Sequence, residues 1–321
     1  MGTPEDQIQR RRRARATQRE RERRHRAAGR RRVALICIAA ISLAVGVAVG
    51  AGHETGGDGG SGGTGKAGGG GSSGGGGPKL ARDGQGPVPG DNLTHSQAPV
   101  PVLMYHVIGT LRAGSGQLPD LFVSPDDFKA QMKWLKDHGY QAVTLDQVYN
   151  AWFKGAEIPE KPVVISFDDG YKGQYVYARP VLRTLGWPGV LSLIVNTLNP
   201  GGELSTALVR QLINDGWELD SHTETHADVA TLSGAELQRE VGQSRADLQH
   251  QFHVPVNFFC YPSGSYDAQA EQAVKDAGYL GATTTQEGLA SKDHMYTLDR
   301  IRISNTDGVN GLQTKLQQAG A

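Results

Sequence analysis

Short apolar runs alternate with amphipathic stretches from Pro99 to the end of the chain. Each run has the length and the β-branched or aromatic content typical of a buried parallel strand, and each intervening stretch has the apolar spacing of a surface helix. We predict strands at 100–107, 141–145, 163–167, 190–195, 217–220, 256–261, 280–284 and 298–303. This α/β pattern of seven or eight repeats in about 223 residues predicts a distorted β/α barrel rather than an open sheet.

Local signals mark where the predicted helices begin and end. Ser124 followed by Pro125 is an N-cap with proline at the first helical position, and residues 233–236 have the form of a capping box that begins at Ser233. Glycine follows the predicted helix ends at Gly139, Gly186, Gly216 and Gly278. Active sites of β/α barrels lie at the C-terminal ends of the strands, so the polar residues that follow the apolar runs are the candidates for chemistry.

The chain before Pro99 has a different character. Residues 1–32 contain 13 Arg, no Lys and four acidic residues, and the 19 residues 33–51 carry no charge. Nineteen helical residues span about 28 Å, close to the hydrocarbon thickness of a bilayer, so we predict a transmembrane helix at 33–51. The positive-inside rule leaves 1–32 in the cytoplasm and the rest of the chain extracellular, attached to the cell membrane. The alternative is a signal peptide cleaved near Gly50, which would release a secreted protein.

Residues 52–98 are predicted to form a flexible linker. Residues 52–77 alone contain 16 Gly, which cannot build a core. The folded domain is therefore predicted at 99–321. Removing the 13 Arg and four acids of residues 1–32 from the totals of 33 and 33 leaves 20 basic and 29 acidic residues, a net charge of −9. The Arg run beside an apolar segment is a topology signal, and we expect no nucleic-acid partner.

Two adjacent carboxylates, Asp168 and Asp169, follow the apolar run 163–167 and precede Gly170. Glycine allows the strand to break into a loop there, so the two side chains can face different partners. One could bind a cation while the other handles a proton. The alternative is a polar turn in which an aspartate caps a helix.

A pair of histidines, His222 and His226, follows the predicted strand 217–220. At a spacing of four residues we expect both imidazoles on one side of a helical turn, where they can bind one metal, although such a pair also arises by coincidence. Together with Asp169 they would form a three-ligand site with open positions for water, which is typical of a catalytic metal.

Residues 166–170 (Ser-Phe-Asp-Asp-Gly) and 222–226 (His-Thr-Glu-Thr-His) resemble the first two motifs of the polysaccharide deacetylases, the NodB-homology proteins of carbohydrate esterase family four. The resemblance covers residues 99–321. It implies that Asp169, His222 and His226 bind a divalent metal, zinc in the first place and cobalt or nickel as alternatives. It also implies that Asp168 is the base that takes a proton from the attacking water.

Residues 259–264 (Phe-Cys-Tyr-Pro-Ser-Gly) resemble the third motif, in which the backbone N–H of Ser263 would help to stabilise the oxyanion. Many family members have an arginine where Cys260 stands, and this arginine orients the catalytic aspartate. Arg300 or Arg302 could supply the guanidinium instead, or both could be solvated charges at a strand edge. Arg300 is also a candidate substrate-binding residue.

The last motif of the family, an apolar strand that ends in histidine, is absent after Ile303, but residues 102–106 end in this way at His106. A circularly shifted motif order, as in exopolysaccharide deacetylases of the family, would make His106 the general acid that protonates the leaving amine. The alternative is a histidine that only caps a barrel strand. Tyr171 and Tyr261 are the aromatic candidates for stacking on a sugar ring.

The resemblance therefore implies a hydrolase that removes acetyl groups, N-acetyl in the first place, from peptidoglycan or another N-acetylglucosamine polymer. An O-acetyl polysaccharide esterase would use nearly the same residues but would not need an acid at a leaving nitrogen, so dependence on His106 distinguishes the two. A carbohydrate-binding relative without catalysis is the third hypothesis, and the absence of bound metal would favour it.

Overall fold

The computed structural model describes residues 92–111, 118–198 and 203–321. The predicted basic segment 1–32, the transmembrane helix 33–51 and residues 52–91 of the linker lie outside this range. Within the described ranges, no helix combines the length and the apolarity needed to cross a bilayer.

The folded domain begins earlier than predicted. Leu93–Thr94 (β1) pairs in antiparallel register with Ile158–Pro159 (β6), and Gln97 Nε2 donates to the carbonyl of Trp152 at 3.0 Å. These residues belong to the predicted linker, which continues from the glycine-rich residues 52–77 to residue 98. Their pairing through the backbone shows that the boundary at 98/99 lies too late in the chain.

Seven parallel strands close a barrel, which confirms the predicted architecture. The strands are Val102–Tyr105 (β2), Pro162–Asp169 (β7), Val190–Leu193 (β8), Glu218–Ser221 (β9), Phe258–Cys260 (β10), Gly281–Glu287 (β11) and Leu298–Arg302 (β12). They pair in the order β2-β12-β11-β10-β9-β8-β7, and β2 pairs with β7 to complete the ring. Gln141–Val143 (β5), the eighth predicted strand, pairs with the first residues of β7 outside the ring.

The apolar run predicted as one strand at 100–107 is divided at His106. Val107–Ile108 (β3) leaves the barrel and pairs with Phe122–Val123 (β4) in a separate two-stranded sheet. The carbonyl of His106 accepts a hydrogen bond from Gln174 Nε2 at 2.9 Å, so a side chain provides the donor for this carbonyl where the strand breaks.

Helices pack around the barrel and across one of its ends. The α-helices are Pro125–Asp137 (α1), Leu145–Lys154 (α2), Arg179–Leu185 (α3), Thr206–Asn214 (α4), Gly234–Gln238 (α5), Ser244–Phe252 (α6), Ala268–Asp276 (α7) and Gly308–Ala319 (α8). Two π-helical segments, Gln174–Ala178 and Arg239–Gln243, lead into α3 and join α5 to α6. Short 3₁₀ turns lie at Pro119–Leu121, Val195–Leu198, Val229–Thr231, Pro262–Gly264 and Lys292–His294.

The predicted helix caps have different outcomes. Ser124 Oγ accepts from the backbone N–H of Asp127 at 3.0 Å, as predicted. The capping box at Ser233 is wrong, because the Ser233 side chain makes no cap hydrogen bond at the start of α5. Gly234 has a left-handed φ of 54°, which directs the chain away from the geometry that a capping box needs. A capping box that we did not predict starts α2, between Thr144 and Gln147.

Helix α2 closes the N-terminal end of the barrel. Its residues Val148 and Trp152 lie in one apolar cluster with Val102 and Val164 from the barrel strands, whereas the larger apolar cluster includes residues of the outer helices. Because the strands are parallel, their C-terminal ends meet at the opposite end. The polar residues that end β7 and β9 therefore gather there.

Three carboxyl groups are buried at the end of the barrel that α2 closes: Asp146 in α2, and Glu218 and Asp220 in β9, with residue exposures of 8%, 6% and 1%. Neutral backbone groups donate hydrogen bonds to two of these carboxyl groups. The N–H of Asp146 donates to Glu218 at 2.8 Å, and the N–H of Phe258 donates to Asp220 at 3.1 Å. Burial, with the nearby charge of Asp146, raises the pKa of Asp220 to about 8. Burial also raises the pKa of Glu218 well above its ordinary value. Asp220 is therefore mostly protonated at neutral pH.

Candidate active site at the carboxyl ends of the strands

The two adjacent aspartates at the end of β7 face different partners. Asp168 is 2% exposed and contacts Arg300 and His106, whereas Asp169 is directed toward the two histidines of the next loop. The backbone turns between them, with a left-handed φ of 73° at Asp169 and 90° at Gly170. The left-handed φ of Gly170 strains any other residue, and a Cβ there would also lie 2.5 Å from Leu193 Cδ1, so glycine is favoured at this position. The break in the strand separates the two carboxylates, as the sequence indicated.

His222 and His226 lie on a loop, so the prediction of a helical turn at 222–226 is wrong. The chain takes left-handed φ angles of 69° at Thr223 and 64° at His226, which a helix does not allow. The N–H of His226 donates to Thr223 Oγ1 at 2.8 Å across the loop. The two imidazole centroids are nevertheless 4.7 Å apart, so the histidines meet by a different backbone path.

Asp169, His222 and His226 have the geometry of a metal site. Asp169 Oδ1 lies 3.4 Å from His222 Nε2 and 3.5 Å from His226 Nε2, and the three candidate ligand atoms lie within 4.8 Å of one another. Asp169 Oδ1 is buried yet accepts no well-formed hydrogen bond from the described residues. A cation between these atoms would satisfy this oxygen, so the donor set fits a divalent metal.

The two histidines differ in charge before a metal binds. His222 Nδ1 lies 2.7 Å from the Cys260 carbonyl. Burial alone would lower the pKa of His222, but interaction with Cys260 and Asp169 holds it well above its ordinary value, so a metal would displace the proton on its Nε2. Burial, reinforced by the neighbouring His222, lowers the pKa of His226 to about 4, so His226 is neutral at pH 7. Burial alone would raise the pKa of Asp169, but interaction with His222 holds it below its ordinary value. A neutral imidazole and an ionised carboxylate are the forms that bind metals.

Asp168 is held by Arg300 of β12, a strand that only β2 separates from β7 in the ring. Arg300 Nη1 and Nη2 donate to Oδ1 and Oδ2 of Asp168 at 2.8 Å each, and Arg300 is fully buried. Burial alone would raise the pKa of Asp168, but the charge and hydrogen bonds of Arg300 hold it well below its usual range. Arg300 occupies the place suggested for a guanidinium that replaces the usual arginine. The assignment of Arg300 as a substrate-binding residue is wrong, because no part of Arg300 is exposed. Arg302, the other candidate for this guanidinium, is only half-buried.

Cys260 lies beside this pair. Its buried thiol is 3.6 Å from Asp168 Oδ2 and accepts from Arg300 Nη2 at 3.3 Å. Atoms of Asp168, His222 and Cys260 also lie within 4.8 Å of one another. A cation among these three would meet the guanidinium, so this group does not suit a metal.

His106 lies on the other side of Asp168, with its Nε2 3.8 Å from Asp168 Oδ2 and a residue exposure of 8%. Burial lowers the pKa of His106, and the opposing effect of Asp168 and Asp169 does not reverse the shift. Gln174, which we did not predict, is fully buried and donates to the carbonyls of His106 at 2.9 Å and Asp168 at 2.7 Å. Gln174 thus ties the ends of β2 and β7 together.

The remaining predicted site residues differ in exposure. Ser263 is exposed in the turn after β10, with a left-handed φ of 54°. Tyr171 is half-buried directly after Gly170. Tyr261 has no exposed surface and packs between Phe259 and Tyr266, at centroid distances of 5.3 and 4.9 Å. Its assignment as a sugar-stacking residue is therefore wrong, because the ring belongs to the core.

Known proteins are similar to this chain in sequence. The family model for polysaccharide deacetylases matches residues 155–282, which contain the two aspartates and the two histidines but not His106 or Arg300. The Bacillus subtilis protein YxkH, whose name places it among the polysaccharide deacetylases, is 33% identical over 212 residues, 66% of this chain and 74% of that protein. A poly-β-1,6-N-acetyl-D-glucosamine N-deacetylase of Staphylococcus epidermidis is 27% identical over 211 residues, 61% of this chain and 73% of that protein.

A solved structure also has the same fold. The Streptococcus pyogenes deacetylase PplD, in complex with acetate, superimposes with a TM-score of 0.64 at 27% identity, over 68% of this chain and 99% of that one. The motifs, the barrel and the identity to YxkH agree. The chain therefore belongs to the polysaccharide deacetylase family and is by class a carbohydrate deacetylase, a hydrolase of amide bonds.

Proposed function

We propose that this chain is a metal-dependent N-deacetylase of an N-acetylglucosamine polymer. The proposal rests on one observation: Asp169 Oδ1 faces the Nε2 atoms of His222 and His226, while the adjacent Asp168 is held apart by Arg300. Two imidazoles and a carboxylate with an open position suit zinc, and cobalt or nickel accept similar ligands. Such a cation, when bound, supplies a Lewis acid that polarises the acetyl carbonyl and lowers the pKa of water.

Asp168 is the base in this proposal. Arg300 keeps its carboxylate ionised, so it accepts a proton from the water that attacks the acetyl carbon. The carbonyl oxygen gains negative charge as the new C–O bond forms. The N–H of Ser263, in the turn after β10, is the proposed protein donor to this oxygen.

His106 carries the proton to the leaving nitrogen. Since burial lowers its pKa, His106 is neutral at pH 7 before the reaction begins and must receive a proton during the reaction. Asp168 Oδ2, 3.8 Å from His106 Nε2, is the proposed source. The proton then passes to the amine nitrogen as the C–N bond breaks, which yields acetate and a free amino sugar.

The proposed substrate is supported by the relatives and by the composition of the site. The Staphylococcus epidermidis relative is named as acting on poly-β-1,6-N-acetyl-D-glucosamine, and peptidoglycan offers the same N-acetyl group. Tyr171, half-buried next to the two aspartates, is the proposed platform for a sugar ring.

An extracellular position fits this substrate. We infer it from the uncharged residues 33–51 behind an Arg-rich segment, which predict a single membrane anchor with the domain outside. The mass of the mature chain in membrane and medium fractions tests this inference. An intact N-terminus in the membrane supports the anchor, and a chain in the medium that begins after residue 50 supports cleavage.

Acetate release from a panel of N- and O-acetylated glycans tests the proposed activity. The zinc-loaded chain is expected to release acetate from N-acetylglucosamine oligomers, and the Asp168→Asn variant is expected to bind zinc without releasing acetate. Release from O-acetylated glycans alone would identify an O-acetyl esterase. Absence of both zinc and acetate release would leave a carbohydrate-binding protein.

A further inference from the structure

A buried glutamate outside the motifs binds the loop that carries both histidines. Glu240 is 2% exposed and lies in the π-helical segment between α5 and α6. Its Oε2 accepts from the backbone N–H groups of Glu224 at 3.0 Å and Thr225 at 2.9 Å, and its Oε1 accepts from Thr225 Oγ1 at 2.7 Å. Both carboxylate oxygens therefore accept hydrogen bonds from residues between His222 and His226.

The loop needs such support because its backbone is strained. Thr223 and His226 have left-handed φ angles of 69° and 64°, and this region is unfavourable for a β-branched residue such as threonine. Conformations of this kind persist only where neighbouring groups fix them. Within the loop, the hydrogen bond from the His226 N–H to Thr223 Oγ1 fixes one end. Glu240 fixes the two peptide groups between them.

The π-helical segment places Glu240 against the loop. An extra residue in a helical turn rotates the residues on its two sides by about 100° relative to each other, since a helix has 3.6 residues per turn. The carbonyls that this distortion displaces have partners. Ser244 Oγ donates to the Glu240 carbonyl at 2.7 Å, and Tyr279 Oη donates to the Val241 carbonyl at 3.0 Å. The distortion is thus built into the packing of α6.

We infer that Glu240 is a positioning residue for the metal site, and that the affinity for zinc depends on its carboxylate. The inference rests on the proposed function, since it concerns the same metal. His226 is 31% exposed and stands at the far end of the loop, so the loop conformation sets the position of its Nε2 relative to Asp169. Without Glu240, the N–H groups of Glu224 and Thr225 lose their acceptor. The loop then keeps the hydrogen bonds that its carbonyls at Thr223 and Glu224 accept from the N–H groups of Val195 and Asn196, but its two N–H groups are no longer fixed.

Zinc affinity of the full-length chain, measured by competition with a chromophoric chelator, tests the inference. The Glu240→Gln variant keeps the side-chain volume but replaces one acceptor oxygen with a donor. It is expected to bind zinc about 10- to 100-fold more weakly, the range found when groups that support metal ligands are removed. With cobalt in place of zinc, the visible absorption spectrum should also change, because the spectrum reports ligand geometry.

The matched control is Glu218→Gln. Glu218 is also a buried glutamate, 6% exposed, and accepts a backbone N–H from Asp146 at 2.8 Å, but it lies at the other end of the barrel. The zinc affinity and the cobalt spectrum of the Glu218→Gln variant are expected to remain those of the unmodified chain. A control that weakens zinc binding as much as Glu240→Gln would show a general effect of core perturbation and would overturn the inference.

A second variant keeps the test decisive if Glu240→Gln does not fold. Thr225→Val removes only the hydroxyl that donates to Glu240 Oε1 and is expected to weaken zinc binding by a smaller factor in the same direction. Unchanged zinc affinity in a folded Glu240→Gln variant overturns the role of Glu240 but not the metal site. If Glu240→Gln is unfolded, unchanged zinc affinity in Thr225→Val has the same meaning. Failure of the unmodified chain to bind zinc overturns the proposed metal site itself.

Discussion

Replacement of Arg300 by methionine is expected to raise the pKa of Asp168 and to move the acidic limb of the pH–rate profile to higher pH. Arg300 donates to both oxygens of Asp168 at 2.8 Å, and the two side chains are 0% and 2% exposed. Removal of one partner of a buried ion pair costs about 3–5 kcal/mol. At 1.36 kcal/mol per pKa unit, protonation that relieves this cost corresponds to an upward shift of about 2–4 units.

The sign follows from the burial of Asp168. Burial favours the protonated acid, and Arg300 is the main group that opposes it. A protonated Asp168 cannot accept a proton from water, so the variant should lose more activity at pH 4 than at pH 8. It should recover part of that activity as the pH rises above the new pKa.

The assay is kcat/KM for acetate release between pH 4 and 9, with Arg245→Met as the control. Arg245 is a half-buried arginine that donates to the backbone carbonyls of Val256 at 2.7 Å and Ala277 at 2.8 Å rather than to a carboxylate. The control is expected to lose stability without a shift of the acidic limb. An equal loss of activity at every pH in Arg300→Met would refute the attribution of the low pKa of Asp168 to Arg300.

Three further predictions concern other groups of the barrel. Asp169→Asn should lose stoichiometric zinc after dialysis while Asp168→Asn retains it, and the reverse result would exchange the two roles. His106→Ala should slow release of N-acetyl groups by about 10²- to 10⁴-fold, the usual contribution of a general acid, and should affect O-acetyl hydrolysis less; equal effects on both would assign His106 a structural role. The pKa of Asp220 is raised by burial to about 8 from about 3.9 in the unfolded chain, so the folded state holds an extra proton and its stability falls as the pH rises from about 4 to about 8. Asp220→Asn removes this dependence, and thermal denaturation should show a gain in Tm at pH 8 that is absent at pH 4.

The fold and the metal ligands could be predicted from the sequence because both depend on local patterns. Strands β2, β7, β8 and β10 are mostly apolar, and the polar residues Asp169 and His222 lie at the end of β7 and directly after β9. Parallel strands bring their C-terminal ends to one edge, so residues far apart in sequence could be placed together without knowledge of side-chain contacts.

Contacts between residues that are far apart in the sequence could not be predicted from these local patterns. Arg300 is a charged residue within a strand, and its partner Asp168 is 132 residues away, so the sequence could not distinguish a buried ion pair from a solvated edge. The spacing of His222 and His226 suggests a helical turn, but the chain takes a left-handed conformation at Thr223, which threonine rarely adopts. Tyr261 follows β10 as an aromatic residue near the site, and only its packing against Phe259 and Tyr266 shows that it is core.

The two π-helical segments of the described residues explain why the residues that support the site could not be predicted from sequence motifs. Each segment presents one buried polar side chain to a strand-end loop: Gln174 bonds the carbonyls that follow β2 and end β7, and Glu240 bonds the loop after β9. A regular period of 3.6 residues does not describe either segment, so a helical pattern assigns these side chains to the wrong face. The ligands can be identified from their chemistry, but the groups that fix them depend on where a helix departs from regular geometry. A motif transferred to another barrel without Gln174 and Glu240 would therefore carry the ligands without the contacts that hold them in place.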